Sequence, residues 1–306
     1  MESKQRADKA CENTTSFFGL LGSEPNYILA ADEYTKAGNS FRGSKAYGQA
    51  VECFIKAGEC HQKLDSFFLA AKSYETAALV LEKNMDQFER ASSIYKKASM
   101  FYVPGGSPDK AGEILEKSAK VMESVDAIKA ADIYVEACQL YVNEDRFRFG
   151  VDTFKRALTF CLRSRQIEYS KIISDKLEDG FFSIQNISSF QRQVLSSVII
   201  NLSVMNEKAA LEKWNQGCSK VPQLSESNEG QAILTLLQAF ETCSKELLDS
   251  VLKMGEVQYL DVEVAKLARG LTLPATPQNV QSAPDQLDGF HSHADLQEEI
   301  EEEGYL

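Results

Sequence analysis

Three histidines and seven cysteines are the side chains from which this chain could build a catalytic or metal centre. Cys60-His61 is the one adjacent thiol–imidazole pair. Successive residues on a helix point about 100° apart, so these two do not form a nucleophile and its base. Cys53 and Cys60 share a helix face, two turns apart, where they read as small buried residues. His291 and His293 have no third ligand at zinc spacing. No GxGxxG or GxxxxGK[ST] pattern occurs, and Gly105-Gly106, between Pro104 and Pro108, reads as a turn. The expectation is a chain with no catalytic, cofactor-binding or metal-binding residues: a non-enzyme.

Three other features carry binding chemistry. The first is Phe17-Phe18-Gly19-Leu20-Leu21-Gly22, set between Thr14-Thr15-Ser16 and Ser23-Glu24-Pro25-Asn26. Four large apolar residues with two glycines in a loop must either fold into the core or meet a membrane or an apolar partner. The second is a basic excess at 144–176, with eight Lys or Arg against five Asp or Glu. It reads as an ordinary solvated face or as a surface that steers an acidic partner. The third is the end of the chain, where eight acids follow Leu271 and no Lys or Arg follows Arg269. That run serves solubility or docks on a basic partner, and Ala294 to Glu303 could form a short helix there.

The elements that must position these features come from a repeat of small-x-x-x-large-x-x-small. It occurs as Ala30/Tyr34/Ala37, Ala50/Phe54/Ala57, Ala70/Tyr74/Ala77 and Ala91/Tyr95/Ala98. It continues as Ala111/Leu115/Ser118, Ala130/Tyr134/Ala137 and Gly150/Phe154/Ala157, so that the first members follow one another at a nearly constant step. Positions i, i+4 and i+7 share one helix face, so each small residue admits a neighbouring helix and each large one fills the groove between them. Turn signals such as Leu64-Asp65-Ser66 and Asn143-Glu144-Asp145 fall between the triplets. Two helices then make a hairpin of about 40 residues, close in logic to the tetratricopeptide unit. The expected fold is all-α: a tetratricopeptide-like solenoid, a twisted sheet of antiparallel helices with a concave binding face. A compact bundle is the alternative, but it gives no reason for a fixed period. After residue 160 the pattern fades, although Ser189 to Val204, Glu207 to Gln216, Gly230 to Phe240 and Lys245 to Met254 still read as helices. The expected organisation is an N-terminal helix and apolar loop at 1–26, a solenoid at 27–180, a helical bundle containing Trp214 at 181–270, and an acidic tail at 271–306.

Composition sets the outer bounds. The chain has 306 residues, 43% hydrophobic and 25% charged, with a formal net charge of −12. A charge of that sign argues against general nucleic-acid binding. No apolar stretch approaches the roughly 20 residues that span a bilayer, and no signal-peptide apolar region follows Met1. Seven cysteines without a CxxC suit a reducing cytosol.

On this repeat the sequence resembles the soluble NSF attachment proteins, most closely the gamma class. The resemblance runs over about residues 5 to 272, with the character of the tail added. It is carried by Phe67-Phe68-Leu69-Ala70-Ala71-Lys72-Ser73-Tyr74-Glu75-Thr76-Ala77 and by Lys97-Ala98-Ser99-Met100-Phe101-Tyr102 followed by Gly106-Ser107-Pro108-Asp109. Tyr259-Leu260-Asp261, Ala265-Lys266-Leu267 and Pro274-Ala275-Thr276-Pro277-Gln278 add to it. It implies an adaptor without enzymatic activity that lays a helical face along the four-helix SNARE complex and recruits the NSF-type hexameric ATPase. It also implies a cytoplasmic protein, peripheral on membranes. By the same resemblance Phe17 and Phe18 match the paired aromatics of a loop that dips into the membrane, and Leu20 and Leu21 belong to the same apolar loop. Lys129 and Lys171 match SNARE-facing lysines, and Leu306 is similar to a terminal leucine that contacts the ATPase. A general repeat scaffold unconnected with fusion is the competing reading.

Overall fold

The computed structural model describes residues 2–11 and 26–274. Phe17, Phe18, Leu20, Leu21, His291, His293, Leu306 and the expected short helix from Ala294 lie outside these residues. The helices are α1 Glu2–Cys11, α2 Tyr27–Gly43, α3 Tyr47–Lys63, α4 Phe67–Met85, α5 Phe88–Tyr102, α6 Pro108–Met122, α7 Ala127–Asn143 and α8 Phe147–Arg163. They continue as α9 Ile167–Ser183, α10 Ile187–Leu202, α11 Glu207–Lys220, α12 Asn228–Glu241, α13 Lys245–Val251, α14 Gly255–Gln258 and α15 Val262–Arg269. Each helix from α1 to α11 packs against the next, and the short turns from α2 onward make these neighbours antiparallel. Contacts of α6 with α8 and of α7 with α9 place odd and even helices in two layers, the arrangement of a hairpin solenoid.

The triplets do what their spacing requires. Ala30, Ala50, Ala70, Ala91, Ala111 and Ala130 are fully buried, as are Tyr74 and Phe154, and Tyr34, Tyr95 and Tyr134 nearly so. Where a tyrosine holds the large position, its hydroxyl can also donate to a carboxylate. Tyr34 reaches Asp8 at 2.6 Å, Tyr95 reaches Glu82 at 2.8 Å and Tyr134 reaches Glu123 at 2.6 Å. The ring fills the interhelical groove while the polar tip gains a charge-assisted bond. Close approach has its own requirement at Gly38, where a Cβ would sit 2.8 Å from the Phe54 ring of the next helix.

The regular step continues past residue 160, where the sequence pattern loses it. Helices α8, α9, α10 and α11 begin at Phe147, Ile167, Ile187 and Glu207, a constant interval. The turns keep the same beat: Lys45, Asp65, Asp86, Gly106, Asp145, Arg165, Gln185 and Met205 all have positive φ. Side-chain caps start several helices; Asp126 accepts from the Ile128 and Lys129 amides, Asn186 from Ser189 and Asn206 from Ala209. Helix spacing therefore leaves no mark at residue 180. The change there is in packing: most of α10 is buried, and it is enclosed by α9, α11, α12 and α15. Trp214 is partly buried against this core.

Candidate functional site

A groove of about 660 Å³ lies between α5 and α7. Lys96, Lys97 and Lys129 line it together with Glu89, Asp132 and Met100. It runs on into a second depression of about 510 Å³ that shares Lys96, Met100 and Asp132 and reaches Glu136 and Gln139. Met100 is 72% exposed at the rim, an apolar contact that adapts to varied partners. Lys97 stands with its ammonium 4.3 Å from the centre of the buried Tyr74 ring.

Lys129 is fixed by its neighbours. The cap at Asp126 starts α7 and brings Lys129 into its first turn, where its Nζ lies 3.2 Å from Glu89 and 3.6 Å from Asp126. The hydrogen bond to Glu89, and then the charges of Glu89 and Asp126, raise its pKa above the ordinary lysine value, so it stays charged. Lys96 in turn pairs with Glu136 at 2.6 Å, crossing the same groove in the opposite sense. A mixed-charge groove with an apolar rim suits a charged helical partner, which would exchange these exposed pairs for its own.

Lys171 stands elsewhere. It lies on α9, bound to Glu168 at 2.8 Å, and does not line the α5–α7 groove. It shares a helix face with Asp175 and Glu178, both of which pair with Lys213 of α11. Lys176, which bonds Gln139 of α7, lies on the face of α9 toward α7.

The basic stretch at 144–176 is largely occupied. Arg146 faces Asp109 at 3.7 Å, Arg156 bonds Glu116 at 2.7 and 2.8 Å, and Arg163 faces Glu123 at 3.4 Å. Each of these bonds spans about one hairpin, and together they tie α8 and its leading turn to α6 and its trailing one. Sequence reasoning saw the excess but not its partners, because the acids that answer it sit a full hairpin earlier. Nothing local in the sequence gives Lys96 and Lys97 a binding role for a related reason: Glu136 and Tyr74, which place them, lie far along the chain.

Cys53 and Cys60 are both buried in α3. Among the described residues no three His, Cys, Asp or Glu side chains converge as a metal site, and no helix is long and apolar enough to cross a membrane.

With this geometry in place, comparison with known proteins adds the following. The soluble NSF attachment protein family model matches residues 1–261. The gamma-soluble NSF attachment protein of Dictyostelium discoideum is 25% identical over 281 residues, 89% of this chain and 86% of that protein. Its counterpart of the same name in Arabidopsis thaliana is 26% identical over 242 residues, 79% of this chain and 82% of that protein. The alpha-soluble NSF attachment protein of Mus musculus is 24% identical over 246 residues, 77% and 80% of the two chains.

Proposed function

The chain belongs to the soluble NSF attachment protein family, and from that premise we propose that it is an adaptor, not an enzyme, which binds SNARE complexes and recruits an NSF-type ATPase for their disassembly in vesicle traffic. The observation that carries this reading is the α5–α7 groove, lined by Lys129, Lys96 and Lys97 together with Glu89 and Asp132. A four-helix coiled coil presents rows of charge along a rod, and a groove between parallel-running helices offers a matching row. Lys171, on the later helix α9, would add a second contact further along the rod. The solenoid at 27–180 holds the groove, and the helices of 181–270 close its end. Phe17, Phe18, Leu20 and Leu21 would hold the adaptor peripherally on the cytoplasmic face of the membrane where SNAREs are anchored. The acidic tail and Leu306 would face the ATPase. The similarity to gamma-class relatives over most of the chain supports that class.

The test is retention of the full chain on immobilised SNARE complexes. Changing Lys129→Glu and Lys171→Glu together is expected to weaken retention about tenfold at physiological salt, with the loss deepening at low salt where charge contacts count most. A double variant that melts like the parent yet binds as well as it does would rule out the groove.

A further inference from the structure

Antiparallel neighbours give the solenoid two edges. Helices α2, α4, α6, α8 and α10 begin on one of them, and α3, α5, α7, α9 and α11 begin on the other. Helix α2, which follows residues 12–25 in the sequence, begins on the first edge. The second and third residues of each helix allow a comparison at equal register. On the first edge α2 offers Ile28-Leu29 and α4 offers Phe68-Leu69, one full hairpin apart. The matching pairs on the other edge are Gly48-Gln49 in α3, Glu89-Arg90 in α5 and Ile128-Lys129 in α7, where Ile128 alone is apolar and exposed, at 56%. Ile28 is 71% exposed, Leu29 47%, Phe68 45% and Leu69 46%. After the polar pair Asp109-Lys110 of α6, Phe149 takes up the same register in α8, 65% exposed beside Arg146.

An apolar pair repeated in identical register on successive hairpins is not scattered surface hydrophobicity. We propose that this edge is a lipid-contacting surface, with Ile28, Leu29, Phe68 and Leu69 meeting the bilayer interface. The inference rests on the peripheral membrane reading above and extends it from a loop to the body of the solenoid. Three observations favour lipid as the occupant. The four side chains lie on an edge rather than in a groove, which fits a broad, flat partner. The segment 12–25, carrying Phe17, Phe18, Leu20 and Leu21, directly precedes α2 in the sequence, and α2 begins on this edge. The register places apolar side chains in consecutive hairpins at one level, as shallow insertion along an interface requires. Several weak insertions on one rigid body act together, so loss of one group lowers the effect of the others.

The experiment is flotation of the full chain with phosphatidylcholine–phosphatidylserine vesicles, without SNAREs or ATPase. The edge variant Ile28→Ser, Leu29→Ser, Phe68→Ser and Leu69→Ser keeps residues 12–25 intact and is expected to float about tenfold less than the parent. Phe68 packs edge-on against Tyr102 at 5.6 Å between ring centres. A second variant therefore changes Ile28, Leu29 and Leu69 alone, and is expected to lose most of the same binding with an unaltered melt. Val204→Ser with Met205→Ser, similarly exposed on the opposite edge, is expected to float as the parent does. If the edge variants float normally while Phe17→Ser with Phe18→Ser does not, the edge has no lipid role and the loop reading stands. If all variants float normally, the membrane reading fails with it. A melt that shifts in the edge variants without loss of flotation would mean that the chain itself covers the patch, which also overturns the proposal.

Discussion

Glu116 shows how single residues hold neighbouring repeats in register. Its carboxylate is 5% exposed on α6 and takes two hydrogen bonds from Arg156 of α8, one from Thr153 of α8, and an ion pair with Lys120 of its own helix. Burial alone would raise its pKa. The bonds from Arg156, Lys120 and Thr153 outweigh that and hold it at about 2. A depressed folded pKa means that the unfolded chain takes up the proton first. The stabilisation is therefore complete above the ordinary glutamate value of 4.5 and drains away as pH falls from there toward 2. Arg156→Met removes the bidentate bond while Lys120 and Thr153 remain. Because Arg156 is half exposed, the expected cost at pH 7 is about 2 kcal/mol, below that of breaking a fully buried pair. Urea unfolding of parent and variant at pH 7 and pH 3 checks it: the gap between them must narrow in acid. A gap that stays constant would mean that the arginine acts through packing alone.

At the scale of elements, the turns explain why the helices start where they do. Each αL residue swings the chain back after one helix, and Gly106 is the one glycine among the recurring turn positions. At the others an L side chain accepts a conformation that costs roughly 1–2 kcal/mol, offset in part by the lower entropy of a non-glycine in the unfolded chain. Met205 has no polar group with which to bond its own backbone, as Asp65, Asp86 and Asp145 have. Met205→Gly is therefore expected to stabilise by about 0.5–1 kcal/mol, while Gly106→Val, at φ 76°, destabilises by about 1–2 kcal/mol. Opposite shifts in the denaturation midpoint would confirm the turn account, and equal signs would refute it. The same turns show what the sequence could and could not disclose. From Ala30 through Ala157 the small–large–small face announces each helix from α2 to α8. In α9 and α10 it becomes Ser170/Ser174/Leu177 and Phe190/Val194/Ser197, because α10 is surrounded by other helices and needs no single apolar face. At Ala210/Trp214/Gly217 the pattern returns on α11, which has an outer surface again. Lys129 could be located from its neighbours Ala130 and Tyr134. Lys96 and Lys97 could not, since their role comes from Glu136 on α7 and Tyr74 on α4, far from them along the chain.

Across the whole molecule, charge and packing both change along the chain. Of the 45 acids, eight lie beyond residue 270, which leaves 37 against 33 bases in the rest of the chain. Many of those bases are engaged a hairpin away: Lys117 with Glu75, Lys129 with Glu89, Arg156 with Glu116 and Lys220 with Asp179. Such ties connect only adjacent hairpins, so each hairpin is stabilised by its immediate neighbours. The two ends then differ. One continuous core runs from Leu115 to Leu271, with α10 at its centre, whereas the hairpin of α2 and α3 belongs to a smaller cluster near the other end. Local opening costs least where few neighbours must be given up, and most where a helix is enclosed on every side. Amide hydrogen exchange of the full chain should therefore be slowest in α10, around Val194 to Ile200, and markedly faster in α2. That gradient leaves the N-terminal hairpins free to adjust their twist to a partner while the C-terminal core keeps its shape. Adding a SNARE complex is expected to slow exchange in α5 and α7, which line the groove, and to leave α10 unchanged, since its opening is already limited by the surrounding helices. Exchange in α10 as fast as in α2 would contradict the enclosed-core account. Protection that spreads evenly from α5 to α10 on binding would show that the solenoid stiffens as one body rather than hairpin by hairpin.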